Sequence, residues 1–375
     1  MLRYQEIKYQ LQAMIRSMSP QEPLPCRSAL CRMLDTTFGT LQKAMAELID
    51  EGVIVSKAGS GTFVAGKKEE DDQQERTIGI ILPNNDVDSY RRLLKSVTSS
   101  FEGKNVSTIV AFSNAVTERQ NKQISRMIGS KVSGIILVPS YEMNLTKDSI
   151  LLNRLTQYGI PTVFCFRGID GLQKTPTVSY NNFYGGYLAT KHLIQNGYRH
   201  IVYFERYLMR TGIDRYQGYV AAMLESGLTI NHDAIVLEIK EDDSPLGYTD
   251  AVRVLTECPE TDAIFCQADE LIPGVYQAIA DIGKRVSDDI GVIGFDDIAQ
   301  YTMLSPPATT LAGKDEEIGS KAAKILWRMM NDEPVKYPIF VAQPEIIIRG
   351  SCLGPRKGRS GEPHDMKGTM QDESR

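Results

Sequence analysis

Residues 24–64 read LPCRSALCRMLDTTFGTLQKAMAELIDEGVIVSKAGSGTFV. Leu30, Met33 and Leu34 form one apolar face. After the break at Asp35-Thr36-Thr37, residues Leu41, Ala44, Met45, Leu48 and Ile49 form a second at i, i+3, i+4, i+7 spacing, the period of an amphipathic helix. Thr37 has the side chain of an N-cap, and Gly52 supplies the left-handed residue that stops a helix. Val53 to Lys57 and Thr62 to Val64 then read as strands about an Ala58-Gly59-Ser60-Gly61 turn. Upstream, a helix over about Tyr4 to Ser17 turns Ile7, Leu11, Met14 and Ile15 to one side. A small packed module that binds protein, or nothing, would carry the same stripes, so periodicity alone leaves its role open.

Three helices and a hairpin in this order make a winged helix-turn-helix, which would lay the helix beginning at Thr37 into a major groove. Leu24-Pro25, the helix ending in AxxELxxxG and the GSGTFV ribbon resemble the DNA-binding domain of the GntR family, over Tyr4 to Val64. The resemblance implies a double-stranded DNA operator as partner. It departs from the family at Ser28, Phe38 and Gln42, where arginines commonly stand, so bidentate guanine contacts and phosphate charge are lost together. What remains at the helix start is Thr37, Gly39 and Thr40, with Gln42 able to pair with adenine and Phe38 to touch a thymine methyl. Arg27, Arg32, Lys43 and Lys57, with Gly59 at the hairpin tip, are the residues expected at the backbone. The expected operator is richer in A·T than the family's usual one, and loss of sequence-specific DNA binding is the alternative.

At 375 residues and a net charge of −5 the chain is no general polycation, so any DNA contact must come from a local face. The start, MLRYQEIKYQLQAM, lacks the apolar core of a signal peptide, and no run approaches the length of a membrane span; a cytoplasmic protein without membrane contact is expected. Six scattered cysteines without a CxxC pair and four scattered histidines argue for reduced thiols and no metal site. No GxSxG elbow, GxxxxGK loop or strand-borne GxGxxG appears, so neither a nucleotide cofactor nor an enzyme is expected. The competing classes are a transport receptor, which has no use for residues 1–66, and an aminotransferase-like fusion, which needs a cofactor lysine and a longer chain.

Residues 67–76 hold no apolar side chain and read as a solvated linker. Beyond Thr77, strands at Thr77–Leu82, Val106–Phe112, Gly134–Val138, Pro161–Phe166, His200–Phe204, Ala234–Glu238, Ala263–Cys266 and Gly291–Gly294 alternate with amphipathic helices. Short apolar strands separated by helices mean parallel sheets buried on both faces, and this length is better divided into two α/β lobes than held in one sheet. Ligands gather at the carboxyl ends of such strands, which carry Ser140, Arg167, Asp269, Asp296 and Asp297. Donors, acceptors and rings together suit a polyhydroxy ligand.

The segments GIPTVFCFRG, VSYNNFYGGYLATKHLIQNGYRHIVYF, RYQGYVAAMLESGL and VSDDIGVIGFDD resemble the effector domain of the LacI/GalR family, in order, over about Thr77 to Ser351. The whole is similar to arabinose-repressor-type regulators with a GntR head. The implied fold is α/β with a small α+β winged-helix domain and a two-lobed, periplasmic-binding-protein-like sensor of parallel sheets. The implied domains are 1–66 (head), 67–76 (linker), 77–353 (effector binding and dimerisation) and 354–375 (disordered tail). The resemblance implies pocket roles for Arg215 and Asp296, which would grip adjacent ligand hydroxyls in a cleft between lobes. It further points to Tyr90, Phe166, Arg167 and Thr211, and to Asn181 where the family usually has Asp. Read without the family, Asp296 and Asp297 would cap the short helix at Ile298, and Arg215 would be a surface residue. The implied function is a homodimeric repressor switched by a small carbohydrate, with a nucleoside or purine as the alternative effector.

Overall fold

In a computed structural model of the chain, the residues described are 3–15, 18–19, 21–57, 60–65, 75–140, 155, 158–169, 175–206, 210–239, 243–336 and 339–355. Gly59, most of the expected linker and the tail from 356 onward lie outside them. The head is built from α1 (Arg3–Ile15), α2 (Arg27–Met33), α3 (Phe38–Asp50), β1 (Ile54–Lys57) and β2 (Gly61–Val64). Ile7, Leu11, Ile15, Leu24, Leu30, Leu41, Ala44, Met45, Leu48 and Ile54 close its core. Two positions depart from the apolar stripes read in the sequence: Met33 is 62% exposed and Ile49 lies on the surface. Leu30 takes the inward side of the short α2 and Leu48 that of the last turn of α3, so one residue per turn suffices there. Lys8, buried on α1, donates to Glu47 Oε2 at 2.8 Å and Glu51 Oε1 at 2.5 Å, tying α1 to α3. Gly52, at φ +70°, ends α3 as expected. Residues 21–24 pair along β2, with Gln21 N donating to Val64 O and Leu24 N to Thr62 O, so the hairpin is held on its outer edge.

The rest of the chain forms two sheets, and the molecule divides into two compact units. One comprises residues 1–180 and 314–342, the other residues 181–313 and 343–375, and the chain passes between them three times. In the first unit β3 (Arg76–Leu82), β4 (Val106–Phe112), β5 (Gly134–Leu137), β6 (Thr162–Phe166), β7 (Thr177–Tyr180) and β12 (Ile339–Ala342) form a sheet of order β12-β7-β6-β5-β3-β4. Every pairing in it is parallel. With the sheet pack α4 (Asp88–Ser99), α5 (Thr117–Gly129) and, from much later in the chain, a helix over Asp315–Met330. Met127 of α5 lies against Gly79 of β3, and Leu326 of the late helix against Gly134 of β5.

The second unit carries β8 (Ile201–Phe204), β9 (Ala263–Cys266), β10 (Gly291–Phe295), β11 (Thr309–Ala312) and β13 (Glu345–Ile347) in the order β13-β11-β10-β9-β8. Only β13 runs antiparallel to its neighbour. Its helices are α6 (Asn182–Gln195), α7 (Arg210–Glu225), α8 (Tyr248–Glu257) and α9 (Ile272–Asp281), so the late helix of the first unit is α10. Strands β8, β9 and β10 are buried along their whole length, the pattern of a sheet covered on both faces. The two parallel lobes and the winged head match the architecture expected from the sequence. The strand expected at Ala234–Glu238 is instead a 3-10 turn over His232–Ala234, capped by Asn231, with a single bridge from Val236 to Phe204. The turn takes Ala234, and of the residues after it Val236 alone bridges the sheet, donating to Tyr203 O and accepting from Glu205 N, too little pairing for a strand. Strands β7, β11, β12 and β13 went unread: each has three or four residues, and so short a strand is decided by its neighbours.

Helices α6 and α7 cross at glycine. A Cβ at Gly186 would be driven into the Arg215 carbonyl, and one at Gly218 into the Phe183 carbonyl. Backbone cannot yield as a side-chain tip can, so Gly218→Ala must separate the helices. It is expected to cost about 1–3 kcal/mol, read as a lower denaturant midpoint at unchanged m-value.

Candidate functional site

The start of α3 is presented to solvent. Thr37 caps it, its Oγ1 accepting from Thr40 N at 3.4 Å and lying 2.9 Å from Thr40 Oγ1. Phe38 is 53% exposed, and Gly39, Gln42 and Lys43 are exposed beside it. The Arg27 guanidinium stands 5.8 Å from the Phe38 ring centroid. Lys43 lies over the Tyr4 ring at 4.0 Å and Lys57 over Phe63 at 5.0 Å, their charged ends held by aromatic faces. Ser28 is exposed, with its hydroxyl 3.2 Å from Cys26 Sγ. The head therefore offers one polar and partly apolar helix start flanked by basic side chains.

In the second unit the carboxyl ends of the strands hold a connected polar group. Arg215 on α7 is only 5% exposed. Its Nε donates to Asn182 Oδ1 at 2.9 Å and its Nη1 to the Gln267 carbonyl at 2.5 Å, while Nη2 lies 3.9 Å from Asp296 Oδ1. The guanidinium carbon sits 3.5 Å from the centroid of the Phe295 ring. Arg215 is thus no surface residue, and its free rotation is lost to three partners before any ligand arrives. Asp296 and Asp297 both have positive φ, +116° and +51°. Such backbone costs of order 1–3 kcal/mol per residue and persists where the surroundings impose it, most often at binding sites. Neither aspartate caps the turn at Ile298, whose N–H is taken by Asp269 Oδ2 at 3.0 Å. Asp297 Oδ1 instead accepts from Arg349 at 2.6 Å.

Asp269 differs from the other expected site residues. It is 2% exposed, and its second oxygen accepts from Thr310 Oγ1 at 2.7 Å, so it binds β9, β10 and β11 together from within. Gly294 permits this, because a Cβ there would strike Asp269 Oδ1. Asn181 caps α6, accepting from Tyr184 N at 3.0 Å, and donates to Gln343 Oε1 at 3.1 Å; its neighbour Asn182 is the one that meets Arg215. Thr211 lies half-buried on the first turn of α7. Sequence reasoning missed Asn182, Phe295 and Gln267. Phe295 stands directly before the expected Asp296 and Gln267 two residues before the expected Asp269, which is the signal that would have found them. Among the described residues no donor meets the buried Oε1 of Gln267, an acceptor left for a ligand or water.

The first unit gathers its own group. Tyr90, Phe166 and Tyr180 form a run of rings with centroids 5.7 Å and 5.3 Å apart. Phe166 has φ +64° at the end of β6, a second instance of strain at a strand end. The Tyr180 hydroxyl donates to Asp315, which Arg92 also holds at 2.7 Å. Arg167 donates through Nε to the Pro139 carbonyl at 2.5 Å. Ser140 is buried, its N–H donating to Gln120 Oε1 at 2.7 Å and its hydroxyl lying 3.2 Å from Ser113 Oγ.

Burial, and after it the nearby charge of Asp296, pushes the Asp269 carboxyl well above its ordinary 3.8. A raised folded value means that the contribution of Asp269 to stability is fully present below 3.8 and is lost as pH climbs through the raised value. Asp269→Asn keeps both contacts if the Thr310 hydroxyl turns to accept. The stability difference between wild type and this variant should therefore shift against the wild type as pH rises, as measured by urea melts at a series of pH values. Asp269→Ala leaves the buried Thr310 hydroxyl and the part-buried Ile298 N–H without their carboxylate acceptor and should cost about 1–3 kcal/mol.

Residues 3–64 match the family described as bacterial regulatory proteins, gntR family, and residues 190–352 match the periplasmic binding protein-like domain. The chain is 26% identical over 358 residues to the arabinose metabolism transcriptional repressor of Geobacillus stearothermophilus, covering 93% of this chain and 97% of that protein. It is 29% identical over 278 residues to the HTH-type transcriptional repressor PurR of Pasteurella multocida, covering 74% and 81%. A solved LacI family transcriptional regulator from Enterococcus faecium with bound ribose shares the fold at a TM-score of 0.60 and 23% identity, over 75% of this chain and 99% of that one. The chain thus joins a winged helix-turn-helix of the gntR regulatory family to a periplasmic-binding-protein-like domain.

Proposed function

We propose that this protein is a ligand-responsive transcriptional repressor that binds a DNA operator as a cytoplasmic homodimer and releases or grips it according to a small carbohydrate. The observation that carries the reading is the coexistence, in one chain, of a solvent-presented α3 start and the Arg215–Asp296 pair held at the strand ends. Arg215 offers donors and Asp296 acceptors, the pairing that two neighbouring hydroxyls of a sugar require, with charge-assisted hydrogen bonds for strength. The open acceptor of Gln267 adds a partner for a third hydroxyl. A relative named for arabinose metabolism, and a structural neighbour with bound ribose, support a sugar over other small molecules. No described helix is long and apolar enough to cross a membrane.

Two heads on a two-fold operator would place half-sites about 10–10.5 bp, or a multiple, apart. Ligand binding then shifts DNA affinity by the difference in its affinity for the competing conformations, a coupling of about 1–3 kcal/mol. Gel shifts on the protein's own promoter region at low salt test the head, and absence of binding there ends the repressor reading. A thermal-shift panel of pentoses, hexoses, deoxysugars and nucleosides tests the sensor, because a ligand that binds only the folded state raises the midpoint by mass action. Asp296→Ala is expected to abolish both the thermal shift and the change in operator affinity while leaving basal operator binding as in wild type. Normal response in that variant would remove Asp296 from the effector site.

A further inference from the structure

We propose that Phe38 reads the C5-methyl group of one thymine in each operator half-site, so that the head selects a methyl group at that base pair. The inference rests on the DNA-binding reading above and specifies its chemistry. Phe38 is the first residue of α3 and is 53% exposed, although a ring of this size gains most by burial. It is not loosely held. Thr37 fixes the helix start, the Arg27 guanidinium lies 5.8 Å from the ring, and Leu41, Ala44, Met45 and Leu48 anchor the helix behind it. Nothing lies within 4 Å of where a Cβ at Gly39 would be, so the backbone beside the ring is open to close approach.

In the major groove only thymine presents an apolar group, its methyl, and a phenyl ring has no donor or acceptor for any other edge. Gln42 follows Phe38 at i+4, on the same face of α3, and is exposed with an amide suited to adenine N6 and N7. The two side chains would address neighbouring base pairs, one through a methyl and one through hydrogen bonds. Charge leaves this task to the bases. Residues 1–64 hold seven Lys and Arg against six Asp and Glu, and Lys8 is spent on Glu47 and Glu51. Phosphate contacts from the exposed Arg27, Arg32, Lys43 and Lys57 position the head but carry no sequence information, so base-edge contacts must carry discrimination.

The test begins with an operator selected by the wild-type protein from random duplexes. Each thymine is then replaced singly by uracil, which removes the methyl and leaves every hydrogen-bonding atom. At one position per half-site uracil should weaken wild-type binding about fourfold, the worth of one buried carbon. Phe38→Ala, whose far-UV spectrum and melting should match wild type because the ring is exposed, should bind the thymine and uracil duplexes equally. Phe38→Arg should move the selected base at that position to guanine. Indifference of the wild type to every uracil, or an undiminished uracil penalty in Phe38→Ala, overturns the proposal while leaving DNA binding intact. Failure of the wild type to enrich any duplex overturns the repressor reading and the proposal with it.

Discussion

A guanidinium removed from water is costly unless its N–H groups are met, and the second sheet is arranged around meeting those of Arg215. Asn182 arrives from the start of α6, the Gln267 carbonyl from the end of β9, and the Phe295 face from β10. Each is needed because the others leave a side of the planar group uncovered. The result is a cation that cannot wander and whose remaining direction points at Asp296. A ligand that binds there meets donors already in place, so little rotamer entropy is lost on binding.

This arrangement is made possible by residues that have no side chain. Gly186 and Gly218 bring α6 and α7 close enough for Asn182 to reach across, and Gly185 leaves room for the Phe295 ring. Gly294 lets the Asp269 carboxyl press against β10, where it holds Ile298 and Thr310 and so shapes the turn that carries Asp296. The positive φ at Asp296 and Asp297 is strain located next to that internal clamp. A buried carboxyl group thereby sets the direction of its partly exposed neighbour Asp296.

The head follows a different economy. Its core is made by ten buried residues drawn from across its helices and hairpin, and its charge is nearly balanced. What it presents to solvent is the start of α3, with Arg27, Arg32, Lys43 and Lys57 exposed around it.

Much of this was legible in the sequence. The helical stripe of α3, its Thr37 cap, the Gly52 stop and eight of the strand positions were read there, seven of them correctly, because periodicity records burial on a single element. The motif around Gly291–Phe295 likewise marked the Asp296 turn. What the sequence could not assign was which of Asn181 and Asn182 caps a helix and which reaches Arg215. Adjacent helical residues differ by about 100° in direction, and only the packing of α7 chooses between them. Nor did it distinguish Asp269, an internal clamp, from Asp296, a partly exposed partner. The amino-acid order by itself determined the elements and the side chains available at each strand end. The tertiary structure decided their tasks, since hydrogen bonds such as Arg215 to Asn182 and to Gln267 join residues 33 and 52 positions apart, and no local pattern encodes a distance across the chain.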